Sequence, residues 1–172
     1  DTAFAKAQAG AGSPLPTEGK VFVSVANHDK RNVIIYAKML EQLGFEIVST
    51  GGTADVLRRN GVNSTVASKF AEANGQHSIV DMVRNGEIDL ILNTPAGGAA
   101  RSDGYEIRAA AVSVGCPVMT TISEFAAAVQ AITALREHSW GIISLQEHNE
   151  YLHAASSGEQ EDSNQVREGE LS

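Results

Sequence analysis

Short apolar runs alternate with segments of helical periodicity along the chain from Lys20 onward. The strand candidates are Val21–Val25, Glu46–Ser49, Ser64–Ala67, Ile88–Leu92, Val118–Thr120 and Gly141–Leu145. The first and fourth of these runs are apolar on both faces, which is typical of strands in a parallel sheet that is covered on both sides. Between the runs, apolar residues spaced three and four apart predict amphipathic helices, as from Val33 to Leu43 and from Phe125 to Leu135.

Glycines mark the ends of the predicted helices. Each stands where a helical stretch gives way to a strand, at Gly44, Gly61, Gly86 and Gly115. Glycine adopts the left-handed conformation that closes a helix at little steric cost. Thr121 and Glu124 have the spacing of a capping box, which places the start of the last helix directly after the fifth strand. This repeated order predicts a doubly wound α/β fold, a three-layer α/β/α sandwich around a mainly parallel five-stranded sheet.

The two ends of the chain differ in composition from this central part. Residues 1–19 begin with a helix-like segment and continue into a run rich in glycine and proline, so we expect a linker from a domain upstream. Residues 20–149 are expected to form the folded domain. Residues 150–172 contain six acidic residues, one arginine and few apolar residues, and are predicted to be a disordered tail because they cannot bury enough surface to fold.

Composition narrows the functional classes. The 172 residues carry 13 Lys and Arg against 21 Asp and Glu, and the basic residues are scattered, which argues against a nucleic-acid-binding surface. Five of the eight net negative charges belong to residues 148–172, so the folded part is only mildly acidic and can still bind a small anion. No apolar run reaches the 18 residues that a membrane span needs, and Cys116 is the single cysteine. We therefore expect a cytoplasmic protein.

Small polar residues follow several of the predicted strands, where ligands of open α/β sheets bind. The Thr-Gly-Gly-Thr segment Thr50–Thr53 has the features of a phosphate-binding loop, because its glycines permit a close approach and the N–H groups of a helix follow. Lys30 and Lys69 would add positive charge from neighbouring loops, and Asn93 would add an amide. Asp29 is the one isolated carboxylate in these loops, which favours an anionic ligand.

Each of these features also has a purely structural explanation. A Gly-Gly pair after a strand is often a tight turn, and the two lysines are compatible with solvent-exposed side chains. His28 and Asp29 are adjacent, so their side chains are expected to diverge, and no metal site is predicted. Cys116 precedes a proline at the start of an apolar strand and is expected to be a buried, unreactive thiol.

Several longer motifs resemble one family. They are Val21–Val25 with His28-Asp29-Lys30, Leu43–Glu46, Ser49–Ala54, Asn85–Leu90, Asn93-Thr94-Pro95, Arg101–Arg108 and Thr120-Thr121. From about Ala3 to Asn149, the chain resembles the C-terminal allosteric, methylglyoxal synthase-like domain of carbamoyl phosphate synthetase large chains. The Thr-Gly-Gly-Thr segment is shared with methylglyoxal synthase and inosine monophosphate cyclohydrolase, whereas the Asn-Thr-Pro and Arg101–Arg108 segments point to the synthetase. The resemblance implies a methylglyoxal synthase-like, flavodoxin-like doubly wound fold.

The resemblance also implies a regulatory domain without catalytic residues. Such a domain would bind a nucleoside monophosphate, typically the inhibitor uridine monophosphate (UMP), with inosine monophosphate (IMP) as a second candidate. By motif position, the phosphate and ribose would be held by Lys30, Thr50, Thr53, Lys69, Asn93 and Thr94, with Gly51 and Gly52 in the loop and Ser24 lining the pocket floor. Thr120 would contact the activator ornithine at the junction with the preceding domain.

For the parent enzyme, the resemblance implies an ATP-dependent, glutamine-hydrolysing ligase. That enzyme makes carbamoyl phosphate from glutamine, bicarbonate and two ATP for pyrimidine and arginine biosynthesis. ATP and Mg²⁺ or Mn²⁺ would be bound by the upstream synthetase domains, and no cofactor is expected in this domain. The implied partners are those synthetase domains, the small glutaminase subunit and, in a homo-oligomer, further copies of the chain.

Two departures from the family pattern and two alternatives stay open. In the enteric pattern a tyrosine precedes the threonine that contacts ornithine, whereas here Val118 precedes Thr120 by two residues, which leaves the ornithine contact open. Pro95, Gly98 and Ala99 stand where the better-known enteric proteins have a threonine and two arginines, which leaves the contacts to base and sugar open. A phosphate-eliminating enzyme of the methylglyoxal synthase type would need an aspartate about where this chain has Gln76, and an amide is no general base near neutral pH. The other alternative is a flavodoxin-like module with a vestigial pocket, whose role is subunit contact.

Overall fold

The computed structural model describes residues 3, 6, 7, 10, 14–68, 78–95 and 101–137, and for residues 101–103 it describes the backbone. The chain divides into two units, Asp1–Ala134 and Leu135–Ser172. Of the second unit, residues 135–137 are described, and they are helical. Several sequence-based inferences lie outside the described residues. They concern the role of Lys69, the positions Gln76, Gly98 and Ala99, the strand Gly141–Leu145 and the acidic tail 150–172.

Strands and helices alternate as the hydrophobic pattern predicts. The strands are β1 (Lys20–Ser24), β2 (Glu46–Ser49), β3 (Thr65–Val66), β4 (Leu90–Asn93) and β5 (Val118–Met119). The helices are α1 (Lys30–Gln42), α2 (Gly51–Arg59), α3 (Ile79–Arg84), α4 (Arg101–Val114) and α5 (122–137), and a 3₁₀ turn, Asn27–Asp29, precedes α1. None of the described helices is both long and apolar enough to cross a membrane.

The five strands form one parallel sheet in the order β3-β2-β1-β4-β5. β1 is central, and Ser24 at its end lies opposite Asn93 at the end of β4. The chain therefore moves outward from β1 through β2 to β3 and then returns to the other side of β1 with β4. Ligands of open α/β sheets bind where the strand order reverses, which here is between the carboxyl ends of β1 and β4.

Apolar residues cover both faces of the sheet. On one face, Phe22, Val48 and Ile91 belong to a buried cluster with residues of α3 and α4. The alternate strand positions, which face the other way, are buried as well; they include Val21, Val23, Ile47, Leu90 and Leu92. α1 and α2 contact β2, and α1 contacts α5 through the edge-on rings of Tyr36 and Phe125, whose centroids lie 6.5 Å apart. The predicted three-layer sandwich with a parallel five-stranded sheet is confirmed.

The four glycines that were predicted to end helices all adopt a left-handed backbone, with φ between 70° and 88°. After each glycine, the next N–H donates to the carbonyl five residues earlier, as from Phe45 to Leu40 at 3.0 Å and from Glu87 to Met82 at 2.9 Å. This is the hydrogen bond of a Schellman motif, which satisfies carbonyls that the end of a helix leaves free. The prediction that glycines end these helices is confirmed.

The predicted capping box at the start of α5 is also present. The N–H of Glu124 donates to Thr121 Oγ1, and the N–H of Thr121 donates to Glu124 Oε2, both at 3.2 Å. The N–H of Thr120 donates to the same carboxylate oxygen at 2.8 Å. This bond, aided by further bonds from Thr120 and Thr121 and opposed by partial burial, lowers the pKa of Glu124 below its ordinary value.

We expect Glu124→Gln to lower the free energy of unfolding at pH 7 by about 0.5–1 kcal/mol, since an exposed carboxylate at a helix N-terminus contributes that much. Because the folded pKa is lowered, this contribution is present above the pKa of the unfolded carboxyl and is lost as the pH falls through the folded pKa. Urea unfolding at pH 7 and at successively lower pH measures the difference, with the exposed Glu106→Gln as the control. A difference that is independent of pH would contradict the capping role of the charge.

Candidate functional site

The carboxyl ends of β1 and β4 are joined directly by a threonine. The N–H of Ala26 donates to Thr94 Oγ1 at 2.8 Å, and the N–H of Thr94 donates to the carbonyl of Ser24 at 3.1 Å. Thr94 is 6% exposed. Its hydroxyl therefore holds the two loops together at the point where the strand order reverses.

A chain of hydroxyl groups links the end of β1 to the start of α2. Ser24 Oγ lies 3.4 Å from Thr50 Oγ1, and Thr50 Oγ1 donates to Thr53 Oγ1 at 3.4 Å. Thr53 Oγ1 also accepts the N–H of Val25 at 3.4 Å, and Thr53 is 1% exposed. Ser24, Thr50 and Thr53 were predicted to line one site, and the structure brings them together with Thr53 innermost.

The start of α2 has backbone donors that the described part of the protein leaves unpaired. Thr50 is the N-cap residue, but its side chain makes no capping hydrogen bond. Its carbonyl accepts the N–H groups of Thr53 and Ala54, both at 2.9 Å. Within the described residues, the N–H groups of Gly51 and Gly52 have no acceptor, and both glycines are exposed. An anion from solvent can therefore reach these two donors and the partial positive charge of the helix terminus.

Lys30 adds a full charge at the same place. It is the first residue of α1, and a Cβ on Gly52 would lie 3.2 Å from Lys30 Nζ, so the ammonium group lies beside Gly52. Among the described residues, Lys30 forms neither a hydrogen bond nor an ion pair. The ammonium group is therefore available for a ligand at the start of α2.

The carboxylate beside this lysine has a partner of its own. His28 Nε2 lies 3.3 Å from Asp29 Oδ2, so the expectation that these adjacent side chains diverge is wrong. Both residues belong to the 3₁₀ turn that precedes α1, and the contact forms in the conformation of that turn. Within the described residues, no group of three or more His, Cys, Asp or Glu lies close enough to bind a metal ion.

Asn93 has a partner that was not assigned from the sequence. Arg108 Nη1 donates to Asn93 Oδ1 at 3.2 Å, and Asn93 is 6% exposed. Arg108 belongs to a motif that carries the family resemblance, but its position in α4 gave no sign that it reaches the end of β4. The sequence offers one signal of a close contact at this helix, which is Gly104, one turn before the arginine.

Two further residues lie apart from this cluster. Thr120 follows β5, and its hydroxyl donates to Glu124 Oε2 at 3.2 Å. Cys116 lies before β5, at the other end of the strand, and is buried as predicted. Burial, together with the charge of Asp89, raises the pKa of Cys116 to about 12, so the thiol stays protonated and unreactive.

The chain is similar to known proteins along most of its length. The family model of the MGS-like domain matches residues 32–120. The carbamoyl phosphate synthase large chain of Kocuria rhizophila is 65% identical over 154 residues, which are 88% of this chain and 14% of that protein. The large chain of Paenarthrobacter aurescens is 64% identical over 90% of this chain, and that of Streptomyces griseus is 54% identical over 90%. The chain spans 14% of the length of each of these relatives.

Proposed function

Because the chain belongs to the family of MGS-like domains, we propose that it is a regulatory domain that binds a nucleoside monophosphate at the carboxyl ends of β1, β2 and β4. UMP is the ligand that we propose first, and IMP is the second candidate. The phosphate would lie at the start of α2, with Lys30, Thr50 and Thr53 around it.

One observation supports this proposal most directly. Gly51 and Gly52 are exposed, their N–H groups are unpaired within the described residues, and Lys30 Nζ lies beside Gly52. Two backbone donors, a helix N-terminus and an ammonium group together match the charge and the acceptor oxygens of a phosphate. The hydroxyl groups of Ser24 and Thr50 border the same space and would bind further oxygens of the ligand.

The names of the relatives support a proposal about the longer protein to which this chain belongs. They are large chains of carbamoyl phosphate synthase, of which this chain covers 14%. We propose that the parent protein is the glutamine-hydrolysing synthetase, with ATP sites in other domains and a glutaminase subunit as partner. A nucleotide bound here would act by linkage, because it inhibits only if it binds one arrangement of the whole enzyme better than another, typically by about 1–3 kcal/mol.

On the basis of the family resemblance, we propose that ornithine contacts Thr120. Thr120 and the carboxylate of Glu124 lie together after β5, at the same sheet edge as the proposed phosphate site. An amino group of ornithine would lie close to the negative charge of Glu124 there. The rest of an ornithine site would come from a neighbouring domain.

Thermal melting of the 172-residue chain with UMP, IMP, dihydroxyacetone phosphate and inorganic phosphate tests the proposal. At 100 times its Kd, a ligand adds about 2.7 kcal/mol to the stability of the folded chain. For a chain of this size, that corresponds to roughly 5–10 °C in Tm. We expect a shift of this size with UMP or IMP and a smaller shift with phosphate at equal concentration.

Two outcomes would contradict this function. If neither nucleotide raises the Tm at millimolar concentration, the regulatory proposal is wrong and the alternative of a vestigial pocket is favoured. If the chain releases phosphate from dihydroxyacetone phosphate, the methylglyoxal synthase-type enzyme is favoured.

A further inference from the structure

Helix α4 contains a buried glycine, Gly104, whose absence of a side chain needs an explanation. Its backbone is not left-handed, so the helix itself does not call for glycine, and alanine would favour the helix more. A Cβ at this position would lie 2.8 Å from Arg108 Nη1 and 3.1 Å from Asn93 Oδ1. The glycine therefore leaves room for the contact between the arginine and the asparagine.

That contact determines which way the amide of Asn93 points. A guanidinium group only donates hydrogen bonds, whereas an asparagine side chain carries one accepting oxygen and one donating NH₂ group. Because Arg108 Nη1 lies 3.2 Å from Asn93 Oδ1, the oxygen faces the arginine and the NH₂ group faces away from it. Among the described residues, Arg108 is the hydrogen-bond partner of this side chain.

Asn93 stands at the reversal of strand order, next to Thr94 and opposite Ser24. Building on the proposed function, we propose that Arg108 is a positioning residue for the ligand site. It holds Asn93 so that the amide presents hydrogen-bond donors to an acceptor atom of the bound nucleotide, and Gly104 provides the space for this arrangement. The site would then select a ligand with an acceptor at this point over one with a donor.

Four variants of the 172-residue chain test the inference by calorimetric titration with UMP. Arg108→Met removes the donor, Arg108→Lys keeps a donor and the charge, and Gly104→Ala crowds the contact without removing a polar group. Arg59→Met is the control, since Arg59 is exposed in the last turn of α2. We expect Arg108→Met to weaken UMP binding about 10-fold, Gly104→Ala to weaken it several-fold and Arg108→Lys to restore most of the loss. The Kd of the control variant for UMP should stay within twofold of that of the unchanged chain.

A second readout follows the asparagine itself. In NMR spectra of the ligand-free protein, the chemical shifts of the Asn93 side-chain amide should change in Arg108→Met and in Gly104→Ala. They should be unchanged in Arg59→Met. If the unchanged chain binds UMP and Arg108→Met binds it equally well, the positioning role is wrong and the proposed function stands. If the unchanged chain binds neither UMP nor IMP, the proposed function is wrong, and this inference falls with it.

Discussion

Replacing Gly19 with alanine is expected to lower the free energy of unfolding by about 2–4 kcal/mol. Gly19 has a φ of +116°, which residues with a side chain rarely adopt. An added Cβ would also overlap the carboxylate of Asp89, whose Oδ2 accepts the N–H of Lys20 at 2.7 Å. Relief of the overlap would break this hydrogen bond at the start of the central strand.

The position matters because the starts of three strands meet there. The N–H of Glu46 donates to the carbonyl of Gly19 at 3.0 Å, and the N–H of Asp89 donates to the carbonyl of Lys20 at 2.8 Å. A shift of the backbone at Gly19 would therefore disturb the pairing of β1 with both of its neighbours. Urea unfolding followed by circular dichroism measures the loss.

Gly44→Ala is the matched control. Gly44 also has a positive φ, of 88°, but nothing lies within 4 Å of an added Cβ. We expect the free energy of unfolding of this variant to fall by about 1 kcal/mol, which is the cost of the left-handed conformation alone. Equal losses in the two variants would show that the overlap with Asp89 contributes nothing.

Reversing the charge of Lys30 is expected to weaken UMP binding on the order of 100- to 1,000-fold, provided that the proposed site binds this nucleotide. Lys30→Glu removes a charge-assisted hydrogen bond to the phosphate, worth about 1.5–3 kcal/mol, and introduces a repulsion of about 1 kcal/mol at this solvent-accessible site. The lysine is half-buried at the first residue of α1 and makes no hydrogen bond or ion pair within the described residues. Its loss should therefore leave the stability of the ligand-free fold nearly unchanged.

Lys38→Glu provides the control for the change in net charge. Lys38 is exposed on the same helix, two turns further on, and far from the start of α2. Calorimetric titration of both variants with UMP should show a large loss for Lys30→Glu and less than a threefold loss for Lys38→Glu. Similar losses in both variants would mean that only the overall charge of the protein matters and that Lys30 does not contact the phosphate.

Much of the fold was predictable because its signals are local. The positive-φ glycines after four helices and the box of Thr121 and Glu124 involve residues at most five positions apart, so the necessary groups stand together in the sequence. The runs that form β1 and β4 are buried on both faces, as their apolar composition indicates. The bounds of β2 match the prediction, whereas those of the other strands differ from it by one or two residues, because the ends of a ladder depend on the neighbouring strand.

The candidate site was predictable in part. Ser24, Thr50 and Thr53 come together because parallel strands bring all their carboxyl ends to one edge of the sheet, a rule that the sequence alone allows one to apply. The contact between His28 and Asp29 was not foreseen, because it depends on the conformation of a short turn.

The sequence by itself determined which segments become strands and helices, where the helices end and which small polar residues follow each strand. Only the tertiary structure decided that β4 pairs with β1, so that Thr94 bridges to Ala26, and that α4 brings Arg108 to Asn93. The physical reason is the range of the interactions. Caps and periodic apolar stripes act within a few residues, whereas strand order and the contact between a helix and a strand end result from the packing of the whole core.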